Sequence, residues 1–143
     1  MKNKGFSLVE LIIVIAIMAI LAAAIAPALI RYIDKSRKAD DVAAAETINT
    51  AVNAALANED AYSELANSMT GTTTVWTGSE TSQSALGTTF SREMNDNLGG
   101  EAPKVKYKKD SNTTWSVTIN SNGKANVWKG TVELQPEIDP SYK

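Results

Sequence analysis

The sequence predicts an α+β fold in which a long N-terminal helix, membrane-spanning in its first half and amphipathic in its second, packs on a small antiparallel sheet of three to four strands. Three observations carry this expectation. Residues 11–30 hold only Leu, Ile, Val, Ala and Met around a single proline, Pro27. Past Ile33 the apolar residues fall into three- and four-residue steps, the period of a helix with one buried stripe. From residue 104 onward they alternate with polar ones, the period of half-buried strands.

Composition narrows the chemistry before any motif is considered. A chain of 143 residues that is 43% apolar has room for one modest core and no second catalytic domain. It contains no Cys and no His, which removes thiol nucleophiles, disulfides, the usual zinc sites and His-based acid–base chemistry. No cofactor or metal is expected, and any catalysis would fall to carboxylates, Lys, Tyr and hydroxyls. The formal net charge is −2 with no long basic run after the first forty residues, so no specific nucleic-acid partner is expected.

The first element occupies residues 6–30. Twenty apolar residues rising about 1.5 Å each span about 30 Å, the hydrocarbon thickness of a bilayer. Three readings compete for it. A cleaved signal peptide finds a basic start in Lys2 and Lys4, an apolar core in Leu11–Leu21 and small residues in Ala22, Ala23 and Ala24, but Glu10 intrudes and the apolar run continues to Ile30. A plain signal anchor gets no direction from charge, since Lys2 and Lys4 face Arg31, Lys35, Arg37 and Lys38 across the span. The third reading rests on "KGFSLVEL" at residues 4–11.

In that stretch Gly5, Phe6, Ser7, Leu8, Val9, Glu10 and Leu11 resemble the junction of type IV pilins and their pseudopilin relatives, in which a leader ending in Gly is followed by Phe, a small polar residue, Leu, any residue, Glu and Leu. The close resemblance covers roughly the first third of the chain, and Pro27 falls where many such proteins carry a helix-loosening proline. It implies a pilin fold and a leader, residues 1–5, that a prepilin peptidase/N-methyltransferase removes between Gly5 and Phe6 on the cytoplasmic side, with methylation of the new Phe6 amine. It also implies that Glu10 of one subunit faces Phe6 of a neighbour in a filament core.

Glu10 has a physical rationale beside the resemblance. An ionised carboxylate at the head of an apolar run is retained only where it reaches water, finds a partner or is used. Stripping a buried charge of its partner costs about 3–5 kcal/mol, so pairing Glu10 with a neighbour's Phe6 amine tolerates a single axial offset and makes both residues register devices. Glu10 also lies four residues from its own Phe6 and can reach that amine without a second subunit. Pro27 lacks a backbone donor and opposes the Ala23 carbonyl. It is either a tolerated membrane-helix proline or a softening point that lets the helix stretch in a filament, where Ala22, Ala23, Ala24 and Ala26 permit close helix contacts.

The other elements follow in order. Residues 31–57 continue the helix through a charged neck, Asp34 to Asp41, into the stripe Val42, Ala45, Ile48, Val52, Ala55 and Leu56. The neck reads as a solvated face with local ion pairs or as charge pairing between subunits. A helix from about Phe6 to Ala57 is about 75 Å long. Residues 58–103 are expected as a connecting loop region with short helices, one around Tyr62, Leu65, Ala66 and Met69, another around Phe90, Met94 and Leu98 ended by Gly99 and Gly100. The Thr-, Ser- and Gly-rich stretch 70–89 between them reads as loop.

Residues 104–143 are expected to hold the antiparallel sheet and a C-terminal tail. "KVKYK" at 104–108, "TWSVTIN" at 114–120, "KANVWKG" at 124–130 and "TVEL" at 131–134 are the candidate strands, with Ser121, Asn122 and Gly123 as a hairpin turn. Lys104, Lys106 and Lys108 read as a strand face that protects a sheet edge, or else as a partner-binding strip. Trp76, Trp115 and Trp128 read as core or sheet-face residues rather than a sugar site.

The resemblance implies a structural subunit and not an enzyme. Such a subunit sits first in membrane lipid as a single-pass inner-membrane protein with an exported C-terminal head. It then self-associates into an extracellular filament on the cell surface, driven by an inner-membrane assembly platform with an ATPase, in support of adhesion, motility or DNA uptake. The alternatives are a pseudopilin of a type II secretion or competence system, and a membrane-anchored or secreted binding domain with no filament. An enzyme would need a carboxylate pair converging in the head, and the spacing shows none.

Overall fold

The computed structural model describes residues 5–79 and 81–143; Lys2 and Lys4 of the expected leader lie outside the described residues. One helix, α1, runs from Leu8 to Leu56 without a break, with Pro27 inside it. The chain divides into two compact units, Met1–Ser36 and Arg37–Lys143, and α1 contributes to each.

In the first unit the apolar side chains face outward: Leu11, Ile15, Met18, Leu21, Ile25 and Leu29 are all more than half exposed. The most apolar 18-residue window of α1 has a mean hydropathy of 3.0 and none of it is buried, so this segment is long and apolar enough to cross a membrane.

In the second unit α1 buries Asp41, Ala45, Ile48, Ala51, Val52 and Ala55, the three- and four-residue stripe that the sequence spells. The alanines share one buried core with residues of the sheet, and Ile48 and Val52 supply volume to it. Asn58 then caps α2, Glu59–Ala66, by accepting from the Asp60 and Ala61 N–H groups at 3.0 and 3.3 Å.

The sheet has five antiparallel strands, not three to four, in the order β2-β1-β3-β4-β5. They are β1 Thr73–Gly78, β2 Gln83–Ala85, β3 Trp115–Ile119, β4 Ala125–Lys129 and β5 Val132–Gln135. The β3–β4 hairpin pairs Trp115 with Lys129, Val117 with Val127 and Ile119 with Ala125, all on the buried face. Its turn is closed by the Asn120 side chain, which accepts from the N–H groups of Asn122 and Lys124, and by Gly123 at φ 78°.

Two expectations need correction. Residues 104–108 form no strand, because the donors that would join a ladder are taken elsewhere: the Asp41 carboxylate accepts from the N–H groups of Lys106 and Tyr107 at 2.6 and 3.1 Å. The added strands, β1 and β2, come from the Thr- and Ser-rich stretch expected as loop. Thr73, Thr74, Val75 and Trp76 are β-branched or aromatic, and that preference outweighs their polarity once β3 lies alongside. A register shift between Thr74 and Trp76 turns two consecutive residues, Val75 and Trp76, into the core.

Helix α3, Thr88–Leu98, begins after Gly87, which offers no side-chain cap. Glu64 of α2 supplies one: its Oε1 accepts from the Thr88 N–H at 2.7 Å and its Oε2 from the Thr89 N–H at 2.8 Å. A Cβ at Gly87, already at φ 84°, would meet that carboxylate. The Thr88 N–H foremost, with those of Thr89 and Phe90, holds the Glu64 carboxyl below the ordinary carboxylate value against an opposing pull from desolvation. A depressed folded value stabilises the fold above the unfolded pKa, and that gain is lost as pH falls through the folded pKa. Glu64→Gln should therefore melt below the wild type at pH 7, with the difference shrinking at pH 3, in thermal scans of the full chain in detergent. An equal difference at both pH values would show that the charge is not what caps α3.

Candidate processing and assembly site

The residues that open α1 form a reciprocal cap. Ser7 stands before the helix, and its Oγ accepts from the Val9 N–H at 3.3 Å. Glu10, three residues on, turns back so that its Oε2 accepts from the Ser7 N–H at 2.8 Å. The Leu11 N–H donates to the Ser7 carbonyl at 3.2 Å, closing the first turn. Two orphan donors of the helix start are thereby satisfied, and a carboxylate sits at its positive end. Ser-x-x-Glu before an apolar run is the sequence signature of this cap, a signal the ion-pair reading of Glu10 passed over.

Around this cap, Gly5 and Phe6 lie outside the helix and are exposed, Phe6 at 88%. A Cβ built on Gly5 meets nothing within 4 Å, so the subunit's own fold does not require glycine there. The structure joins Glu10 to Ser7 rather than to Phe6, whose nitrogen is still an amide in the uncut chain. Pro27 lies within the same exposed stretch of α1, and its ring nitrogen leaves the Ala23 carbonyl without the usual helical donor.

The head holds a buried polar cluster that sequence reasoning missed. Lys129 is fully buried on β4, with its Nζ 3.3 Å from Asp41 and 2.9 and 3.0 Å from the two oxygens of Asp110. The same ammonium donates to the Tyr107 carbonyl at 2.5 Å and to the Tyr142 hydroxyl at 2.6 Å, and Tyr142 in turn donates to Asp110 at 2.7 Å. Lys38 donates to the Ser141 carbonyl at 2.6 Å and stands 5.0 and 5.4 Å from the Tyr107 and Tyr142 rings. Burial pulls the Asp110 carboxyl upward, but the hydrogen bonds from Tyr142 and Lys129 outweigh it and hold it below the usual range. Burial, with Asp110 next, pushes the Tyr142 hydroxyl well above its ordinary value.

Every member of that cluster is satisfied by another, which makes it a clamp on the last C-terminal turn, Pro140–Tyr142, and not an open reactive site. Among the described residues no group of three His, Cys, Asp or Glu could hold a metal ion. The Trp side chains fall as expected: Trp76 and Trp115 are core, while Trp128 lies on the outer sheet face with its Nε1–H donating to Thr118 at 2.9 Å.

Comparison with known proteins bears on both halves of the chain. Residues 1–26 match the family model described as the prokaryotic N-terminal methylation motif. The chain is 33% identical to Fimbrial protein Q of Moraxella bovis over 89% of its own length and 92% of that protein. It is 36% identical to the Type IV major pilin protein PilA of Myxococcus xanthus (strain DK1622) over 46% of this chain, an alignment that spans 30% of the length of that relative. No solved structure matches the chain.

Proposed function

The chain belongs to the type IV pilin family, and from that premise we propose that it is made as a leader-bearing precursor, cut between Gly5 and Phe6, methylated at Phe6 and polymerised through its apolar helix into a surface filament. The observation that carries the reading is the outward-facing apolar surface of α1 from Leu8 to Ile33 directly behind the Ser7–Glu10 cap. Water opposes such a surface; lipid covers it before assembly, and neighbouring helices cover it afterwards. On this reading residues 1–5 are the leader, 6–30 the span and filament core, 31–57 the helical continuation, and 58–103 with 104–143 the exported head.

Cleavage would create an ammonium at Phe6, four residues before Glu10, at the end of the helix where the carboxylate already faces. A neighbour's Phe6 amine brought to that same carboxylate fixes the axial offset between subunits, which is the register role of Glu10 and Phe6. Pro27 softens the helix for its passage from bilayer to filament. The partners are a prepilin peptidase/N-methyltransferase, an inner-membrane platform with its ATPase, and further copies of the chain. A pilus subunit is favoured over a pseudopilin because the relatives matched are a fimbrial protein and a major pilin.

Gly5→Leu tests the processing step without touching the fold, since Gly5 faces open space. The variant should keep its full precursor mass, remain in the membrane and vanish from the sheared surface fraction. Processing at the wild-type level would sink the assignment of the cut to this bond.

A further inference from the structure

The head separates its charge into two blocks. Residues 59–101 carry seven acidic side chains and one basic, Arg92, whereas residues 102–143 carry seven basic and four acidic. The fold sets a cluster from each block toward a different end of the head's portion of α1. At its start, the Asp41 carboxylate holds the Lys106 and Tyr107 backbone, and Arg37, Lys104, Lys106 and Lys108 line one open groove of about 380 Å³. Just past its end, Asn58 caps α2 and donates to Glu93 of α3 at 3.1 Å, which sets exposed Glu59, Asp60 and Asp96 around that end.

Asp41 to Leu56 is about 22 Å of helix. Charges that far apart on a wet surface are screened from each other, because the Debye length is about 8 Å at physiological ionic strength. The basic groove and the acidic α2–α3 end therefore do not neutralise one another within a subunit. Edge protection does not explain the lysines either, since residues 104–108 are not a strand.

We propose that the basic groove of Arg37, Lys104 and Lys106 docks the acidic α2–α3 end of a second copy of this chain. Two different, complementary patches on one protomer make a heterologous contact, and such contacts propagate into open helical assemblies when the rotation does not close. Complementary charge also steers each incoming subunit and disfavours a groove-to-groove approach. The inference rests on the filament reading above, and adds which surfaces of the head meet.

The test is a charge exchange in cells that make the full chain, read as filament yield in the sheared fraction with leader processing and chain level measured in parallel. Lys104→Glu/Lys106→Glu and Asp60→Lys/Asp96→Lys should each lower filament yield at least fivefold while processing stays normal. The chain carrying all four changes should return to within twofold of wild type, because the contact is then rebuilt with reversed sign. Wild-type yield from either pair of changes would overturn the inference. So would a fourfold variant as defective as the lysine variant alone, the outcome expected if the groove serves a polyanion instead. A wild-type chain that is processed but forms no filaments would remove the filament reading and this contact together, a result distinct from filaments indifferent to charge.

Discussion

Lys129→Met should destabilise the head by about 3–5 kcal/mol, measured by denaturant unfolding of the full chain in detergent. The side chain is fully buried, and its ammonium faces Asp41, itself fully buried, and Asp110, of whose side chain 23% is exposed. Without that cation the two carboxylates repel inside the fold, and the hydroxyl of Tyr142 and carbonyl of Tyr107 lose their donor. A domain's whole stability is only about 5–15 kcal/mol, so the chain should fall steeply in abundance. Adding Asp41→Asn should recover part of the loss by removing one uncompensated charge, even though Asn supplies only one acceptor oxygen to the Lys106 and Tyr107 amides. A single variant within 0.5 kcal/mol of wild type, on the scale of an ordinary surface change, would show that the cluster does not hold the head together.

Glu10→Ala should leave processing largely intact and reduce incorporation into filaments at least tenfold, measured as the ratio of sheared to membrane-bound chain beside wild-type subunits. The change removes both the cap on the Ser7 N–H and the anion proposed to meet a neighbour's Phe6 amine. Glu10→Gln separates these roles, because its carbonyl oxygen still accepts from Ser7 but carries no charge. If register is an ion pair, Gln fails like Ala; if Glu10 only starts the helix, Gln assembles normally. Normal filaments built from the alanine variant alone would end the register account.

How much of this was legible beforehand depended on whether local pattern or distant contact decided the outcome. Trp115, Val117 and Ile119 alternate with hydroxyl side chains, and Phe90, Met94 and Leu98 step by four, so β3 and α3 could be read from neighbouring residues alone. "KVKYK" alternates just as cleanly, yet it is not a strand, because a carboxylate 65 residues earlier captures its amide donors. Asp41 stood in a run of mixed charges that reads as a solvated neck, and only the fold reveals it as the acceptor of that segment and the partner of Lys129. The period-two pattern of β4 did point Lys129 inward beside Ala125 and Val127, a cue that its charge argued against. At the N-terminus the motif residues were all visible, and the reciprocal use of Ser7 and Glu10 was visible too in their spacing.

The first residue of the chain found at the cell surface separates a processed filament subunit from a mere anchored or secreted domain. Intact mass and N-terminal sequencing of the sheared surface fraction should give a single product that begins at methylated Phe6, with the membrane fraction holding the same product and some precursor. A surface or membrane chain that begins at Met1, or at Ile25 after Ala24, would mean that the apolar segment is only an anchor or a signal peptide, and the roles given to Gly5, Phe6 and Glu10 would fall together.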